Sequence, residues 1–431
     1  MHKERESILP WISVAVLSIL ALIPSILWAT YKPLEERFVG TSAITTSIGQ
    51  LSGLVGMALF ALVLVLSTRA HWIEKAFGNL GTLYTVHHWA AGISFLLLMA
   101  HPLMLAARFI PSSVIIAAQT LLPSENIPVN FGIASLALMM LLLVLTFFRT
   151  LPYHIWKLTH QFLGGAFFLG GIHALFIHSD ISQNTILRIY MIALITVGLG
   201  AFVYRVFLPY KKKVSYIVSA VNKLPSETIE VVMKAVEQPL TFAPGQFAFL
   251  SFESNAVSKE SHPYSLIPTQ DKKELIIASK ALGDYTNTLH TLQPGEKVTI
   301  EGPFGSFTPK KKDRQSIWIA GGIGITPFLS MARAFNDTYP KTHLIYSAQE
   351  ENPPYKEELE LIAQKHEKFH FIFWNSQQKG HIKTEDIIKY YTSPDTHIMM
   401  CGPENMLTSL EKEFRKNGIK QSSIITEAFF L

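Results

Sequence analysis

The sequence predicts a multidomain chain: a six-helix transmembrane bundle, then an antiparallel β-barrel, then an α/β domain with a parallel sheet. Three observations lead there. Charge is unevenly divided, with 11 Lys and Arg and 7 Asp and Glu in residues 1–210 against 26 and 25 in residues 211–431. The charge-poor part contains six apolar runs near the 20 residues that a bilayer core requires. The charged part first alternates apolar and polar residues with period two, then alternates apolar strands with helical segments. These patterns exclude a disordered chain, a fibre and a single soluble domain. The net charge of +5 splits as +4 and +1, and no basic run interleaves with aromatics, so nucleic acid is not expected as a partner. Cys401 is the only cysteine, which excludes an intrachain disulfide or a cysteine-based metal site.

The apolar runs cover about 8–30, 44–66, 84–107, 131–148, 157–178 and 184–208. The first is too long for a signal peptide and lacks a small-x-small cleavage site, so it is expected to be retained. Six spans place Lys3, Arg5, Arg69, Lys75, Arg149, Lys157 and Lys211 to Lys213 on one side, and Lys32, Arg37, Arg108 and Arg188 on the other. By the positive-inside rule this nine-to-four bias puts both termini and the charged half in the cytoplasm of a cell-membrane protein surrounded by lipid.

Seven of the sixteen histidines, His87, His88, His101, His154, His160, His173 and His178, fall in or at the ends of spans three and five. Ionisable groups at membrane depth are costly and normally serve a function facing the bundle interior. His87 and His101 are 14 residues apart, and His160 and His173 are 13 apart. Either spacing covers roughly 20 Å of helix, so two helices could clamp two stacked cofactors. Neutral imidazole ligates iron without adding charge to lipid, which points to bis-histidine haem. The alternative is a proton-relay or buried polar histidine set in a transporter. At about 100° per residue, 14 steps return near the starting face, favouring His87 over His88 as the partner of His101. Thirteen steps end far from it, so a regular helix would pair His160 with His178, although Gly164, Gly165, Gly170 and Gly171 make that regularity doubtful.

Beyond Lys213, the segments SYIVSAV, TIEVVMKAV and QFAFLSF, separated by LPSE and FAPGQ, read as a small antiparallel barrel. From about residue 315, SIWIAGG, THLIYSA, FHFIFW and THIMMCG alternate with helical segments, which predicts a parallel sheet flanked by helices. AGGIGITP, Ala320 to Pro327, lies where a strand gives way to a helix, a place where backbone N–H groups attract phosphate. Domain boundaries are expected at 1–210, 211–310 and 311–431.

Several motifs now occur in a fixed order: HPYSL at His262, KALGDYT at Lys280, EGPFG at Glu301, AGGIGITP, CGPENM at Cys401 and a terminal EAFFL. Together they resemble the ferredoxin reductase-like FAD and nicotinamide module. TVHHWAAG and KLTHQFLGG resemble the ferric reductase transmembrane domain. From about residue 44 the chain is similar to the superfamily of NADPH oxidases and ferric reductases.

The resemblance implies that His262, Pro263, Tyr264 and Ser265 line the flavin, with Tyr264 stacked on the isoalloxazine and Ser265 near its reactive nitrogen. Lys280 begins the motif in which Gly283, Asp284, Tyr285 and Thr286 hold the FAD pyrophosphate. Gly321, Gly322, Gly324, Thr326 and Pro327 would receive the phosphates of NADPH or NADH. Cys401, Gly402 and Pro403 would border the nicotinamide. Glu427 and Phe429 match an element whose aromatic covers the flavin until nicotinamide displaces it. Read individually, Tyr264 and Phe429 could be core aromatics and Cys401 a buried small hydrophobe. The family pattern takes His173, not His178, as the second ligand of span five. It thus implies two haem b groups, on His87 with His160 and on His101 with His173. Gln349, Glu350 and Glu351 stand where members often carry a basic residue for a 2′-phosphate, so both NADPH and NADH stay open. No EF-hand loop is present. Two-electron hydride donors and one-electron haems require a flavin between them. The expected activity is therefore NAD(P)H-driven reduction of an outer acceptor, O₂ giving superoxide or else a ferric chelate, with no obligate protein partner. Segment 108–130, one Arg and one Glu with no cluster of carboxylates or histidines, favours oxygen.

Overall fold

A computed structural model describes residues 2–78, 80–147, 153–207, 213–309, 315–393 and 395–427. The chain divides into two compact units, residues 8–209 and residues 210–431 together with the first seven.

The first unit is helical. Its main helices are α1 (His2–Ala29), α2 (Gly40–Leu66), α3 (Leu80–Ala107), α4 (Ile127–Phe147), α5 (Tyr153–Gln161), α6 (Leu163–Phe176) and α7 (Thr185–Phe207). Among the described residues, five stretches, Trp11–Ala29 of α1 and all of α2, α3, α4 and α7, are long and apolar enough to cross a membrane. The expected span at 157–178 is instead two helices, α5 and α6, broken at Phe162. There the turn tightens: the Phe162 N–H donates to Thr159 O at 3.1 Å, three residues back, and to Leu158 O at 3.4 Å, four back. Small residues let α6 pack closely on α7, with Gly171 against Ile195 and Gly198 against Phe167. At the α6–α7 turn, the Arg37 guanidinium donates to Asp180 Oδ2 and to Trp28 O, each at 2.8 Å, and stacks on the Trp28 ring. Burial opposes the charge of Asp180, but Arg37 and Lys32 hold its carboxyl below the usual carboxylate range.

The second unit begins with β1 (Lys213–Leu224), β2 (Thr228–Ala235), β3 (Phe247–Glu253), β4 (His262–Ser265), β5 (Ile267–Pro268), β6 (Glu274–Lys280), the short helix α8 (Asp284–Thr288) and β7 (Lys297–Phe304). The sheet order is β4-β3-β7-β1-β2-β6-β5, and its paired strands are antiparallel. Its edge strands, β4 and β5, are separated in sequence by Leu266 alone, so the sheet curls until its edges meet there. The expected barrel is therefore a curled half-barrel, because a one-residue link brings the two edges together without a ladder between them. Val218, Val231, Met233, Leu250, Phe252 and Ile300 fill its interior.

The chain continues with β8 (Gln315–Gly321), α9 (Thr326–Arg333), β9 (Lys341–Ala348), α10 (Lys356–Lys365), β10 (Phe369–Asn375), β11 (Thr396–Cys401), α11 (Glu404–Lys416) and β12 (Ile424–Glu427). These five strands form a parallel sheet in the order β10-β9-β8-β11-β12. The chain winds outward from β8 to β10, then crosses back to β11. A crevice thus opens at the carboxyl ends of β8 and β11, the switch point where α/β sheets bind ligands. Both sheets share one apolar cluster that includes Ile267, Phe307, Trp318 and Phe328. Polar contacts reinforce it. Ser330 Oγ donates to Leu266 O at 2.6 Å, the Arg333 guanidinium donates to Pro268 O and to both Glu358 oxygens, and the Tyr355 hydroxyl donates to Glu230 at 2.8 Å.

Candidate functional site

In the helical unit, four histidines form two facing pairs. His87 on α3 faces His160 at the end of α5, with ring centroids 6.4 Å apart. His101 on α3 faces His173 on α6 at 6.1 Å. The first pair is termed proximal and the second distal, because Gly164, just after His160, packs on Phe202 near the end of α7, whereas Gly171, just before His173, packs on Ile195.

Hydrogen bonds orient each ring. Nδ1 donates to Val63 O at 3.2 Å in His87, to Gly49 O at 2.7 Å in His101 and to Pro128 O at 2.8 Å in His173. Because a carbonyl can only accept, these three rings carry the proton on Nδ1. Thr146 Oγ1 gives its own hydrogen to Leu142 O, so it accepts from His160 Nδ1 at 3.4 Å. All four Nε2 atoms are thereby left as bare lone pairs, the form that ligates a metal. With metal–imidazole bonds of about 2.0 Å, two rings on opposite sides of one metal have centroids about 6 Å apart. The residues therefore fit a bis-histidine haem at each level.

The neighbouring candidates lie elsewhere. His88 is exposed beside Trp89, and His178 lies beyond α6, exposed and near Gln183. The expectation of a His160–His178 pair assumed one regular helix. The break at Phe162 removes that premise, and α6 carries His173 to His101. Side-chain patterns did not reveal the carbonyl partners. Trp156 was missed too; it stacks on the His160 ring at 5.3 Å and 10°, and its place four residues before His160 on one helix was the available signal.

In the second unit, β4 exposes Pro263, leaves His262 half-buried and buries Tyr264 and Ser265. Tyr264 and Tyr285 both belong to the half-barrel core. Burial, with Tyr285 beside it, pushes the Tyr264 hydroxyl well above a tyrosine's ordinary value. The His262 ring lies 4.0 Å from that of Tyr285 and bonds Glu260 at 2.9 Å. The Tyr285 hydroxyl is buried without a hydrogen-bond partner among the described residues. Lys280 closes β6, and beyond it Leu282, Gly283 and Asp284 are exposed. The Leu282 and Gly283 N–H groups both donate to Thr286 Oγ1 at 3.0 Å, which shapes this turn. The exposed turn beside β4, with an unsatisfied buried hydroxyl beneath it, fits a polar cofactor lying across both.

At the switch point the glycines separate into two kinds. A Cβ on Gly321 would lie 2.8 Å from Pro403 and Met406, one on Gly324 would strike Cys401 O, and one on Gly402 would lie 2.7 Å from Met406. These three allow the ends of β8 and β11 to approach. Gly322 instead has φ of +54° and faces open space, as a ligand-facing glycine would. Thr326 and Pro327 are buried, with Thr326 Oγ1 donating to Ile323 O, while Pro403 is exposed. Cys401 is fully buried, and burial and the nearby Glu427 push its thiol well above the ordinary cysteine value. Glu427 ends β12 beside Cys401, and Phe429 lies outside the described residues. Glu350 and Glu351 follow β9 and are exposed at the same end of the sheet.

Comparison with known families matches residues 52–171 to the ferric reductase like transmembrane component, 213–308 to an FAD-binding domain and 318–412 to an oxidoreductase NAD-binding domain. The chain has the architecture of the NADPH oxidase and ferric reductase superfamily. All three domains of that superfamily are present in its order. Among curated relatives, Flavohemoprotein A of Dictyostelium discoideum is 26% identical, over 44% of this chain and 53% of its own. The flavohemoprotein of Oceanobacillus iheyensis is 23% identical, over 44% and 52%. The chain thus spans about half the length of these relatives. A flavohemoglobin from Malassezia yamatoensis, solved with bound FAD and heme, superposes with a TM-score of 0.52 at 15% identity, over 90% of this chain and 98% of that one. That likeness concerns fold alone.

Proposed function

We propose that the protein is a transmembrane NAD(P)H oxidase, taking electrons from cytoplasmic NADH or NADPH and delivering them to O₂ on the opposite face as superoxide, with FAD and two haem b groups as resident cofactors. The observation that carries this reading is the two facing histidine pairs, 6.4 and 6.1 Å apart, in a chain that also has a flavin and nicotinamide module. When bound, FAD exchanges electrons in pairs with nicotinamide and singly with haem, and each haem passes one electron at a time. The protein's own part is to bind and orient. His87 with His160 and His101 with His173 hold the two haems, and their Nδ1 bonds keep the Nε2 lone pairs available. Gly322 opens the turn after β8 to the nicotinamide cofactor's phosphates, and Pro403 borders the same crevice. His262 to Ser265 and the Lys280 to Thr286 turn hold FAD. Glu350 and Glu351 disfavour a 2′-phosphate, which supports NADH over NADPH. The side chains of Ile110, Val114, Ile115 and Leu122, in the segment after α3, are exposed and apolar, better suited to a neutral diatomic than to a charged chelate.

The purified protein should show a Soret band and two haems per chain. Absence of haem would sink the electron-transfer reading in favour of a histidine-lined transporter. NAD(P)H-driven cytochrome c reduction should be abolished by superoxide dismutase. Insensitivity to the dismutase, with fast reduction of a ferric chelate, would make the protein a ferric reductase.

A further inference from the structure

The distal histidines are held by one device used twice. His101 Nδ1 donates to Gly49 O, and the next residue along that face of α2, four positions on, is Gly53. His173 Nδ1 donates to Pro128 O, and four positions on along α4 stands Gly132. In an α-helix the N–H of residue i+4 bonds the carbonyl of residue i, and a side chain at i+4 leans toward the N-terminus, over that same carbonyl. A glycine at i+4 therefore uncovers the oxygen that its own N–H engages, and the imidazole occupies the space. A Cβ added at Gly53 would stand 2.6 Å from His101 Nδ1 and 2.9 Å from Cε1. One at Gly132 would stand 2.8 Å from His173 Nδ1 and 2.9 Å from Cγ. These are atoms of a ring whose place is set by the carbonyl bond, so the clash cannot be relieved without weakening that bond. The sequence GQLSG at 49–53 reads as a helix-packing motif, but its two glycines serve different neighbours. The space at Gly49 is filled by Leu105, whereas that at Gly53 is filled by the imidazole.

We infer that Gly53 and Gly132 are positioning residues for the distal pair, each uncovering the carbonyl that fixes the tautomer and direction of the facing imidazole. The inference rests on the haem reading above. The test is Gly53→Ala and Gly132→Ala, made separately in the full-length protein and examined by haem-to-chain ratio, low-spin haem EPR and potentiometric titration. Gly200→Ala is the control, because that glycine lies on α7 with open space at its Cβ. Either alanine should remove the distal haem, lowering the ratio from two to one, or shift the EPR signal and midpoint potential of one haem while the other keeps the parent values. The control should match the parent. Two haems with unchanged spectra and potentials in both variants would overturn the inference. Equal disturbance of both haems would also overturn it, since that marks a general packing defect. A parent protein without haem would instead refute the functional reading on which the inference stands.

Discussion

Among the described residues, three pairs of histidine rings meet, two in the helical bundle and one in the nucleotide-binding domain, and their geometries differ. His343 on β9 and His370 on β10 are register partners in a parallel ladder, with centroids 4.7 Å apart and planes at 28°. Tyr390 stacks on the other face of His343 at 4.7 Å. This is direct contact, and Gln315 meets His343 Nδ1 at 3.3 Å. His101 and His173 are 6.1 Å apart at 69°, and His87 and His160 6.4 Å apart at 56°. The wider, tilted pairs leave room for one metal between two nitrogens; the stacked pair leaves none. Histidine proximity is therefore weak evidence of ligation until the separation and the role of each Nδ1 are known.

The strongest test of that contrast is ligand removal. His101→Ala or His173→Ala should leave one haem per chain, as should His87→Ala or His160→Ala, whereas His178→Ala and His343→Ala should leave both, all read by pyridine haemochrome. Retention of two haems in His173→Ala would show that the gap does not mark a ligand.

A smaller effect separates the stacked pair by its energetics. His343→Ala should destabilise the second unit by about 2 kcal/mol, from lost ring contacts and a cavity, measured by denaturant unfolding. Burial, then His370, then Lys341 lower the His343 pKa to about 4. The unfolded chain takes up this proton near 6.5 while the folded one resists until about 4. Stability should therefore fall as pH drops through that window, and the alanine variant should lose that part of the dependence.

The smallest effect distinguishes the two histidine levels. The proximal rings make longer bonds, 3.2 Å to Val63 O and 3.4 Å to Thr146 Oγ1, against 2.7 and 2.8 Å for the distal ones. Thr146→Val removes one such bond, worth at most the lower end of about 0.5–1.5 kcal/mol. It should slightly speed loss of the proximal haem and leave the distal spectrum unchanged. A larger shift in the distal spectrum would reverse the assignment of the levels.

Much of this was legible in the sequence, and the exceptions share a cause. The phase of α3 selected His87 over His88, because a regular helix repeats its face at a known angle. The order of bundle, antiparallel sheet and parallel sheet followed from periodicity and charge, both carried by local residues. Between His173 and His178, phase pointed to His178 and the family pattern to His173; phase misled because the break at Phe162 lies within the interval being counted. The glycine-rich turn was visible, but its division of labour was not. Gly322 faces open space, whereas Gly321, Gly324 and Gly402 face atoms supplied from far along the chain.

By itself, the sequence determined which chemistry was available: imidazoles at membrane depth in a charge-poor bundle, and a glycine-rich turn where a strand gives way to a helix in a charged α/β domain. Tertiary structure alone decided which nitrogen of each facing imidazole bears the proton, which carbonyl holds it, and how the two edges of the half-barrel meet at Leu266. The reason is that periodicity belongs to one regular element, whereas a ring's direction depends on a carbonyl in another helix, left uncovered or covered by the residue four positions on.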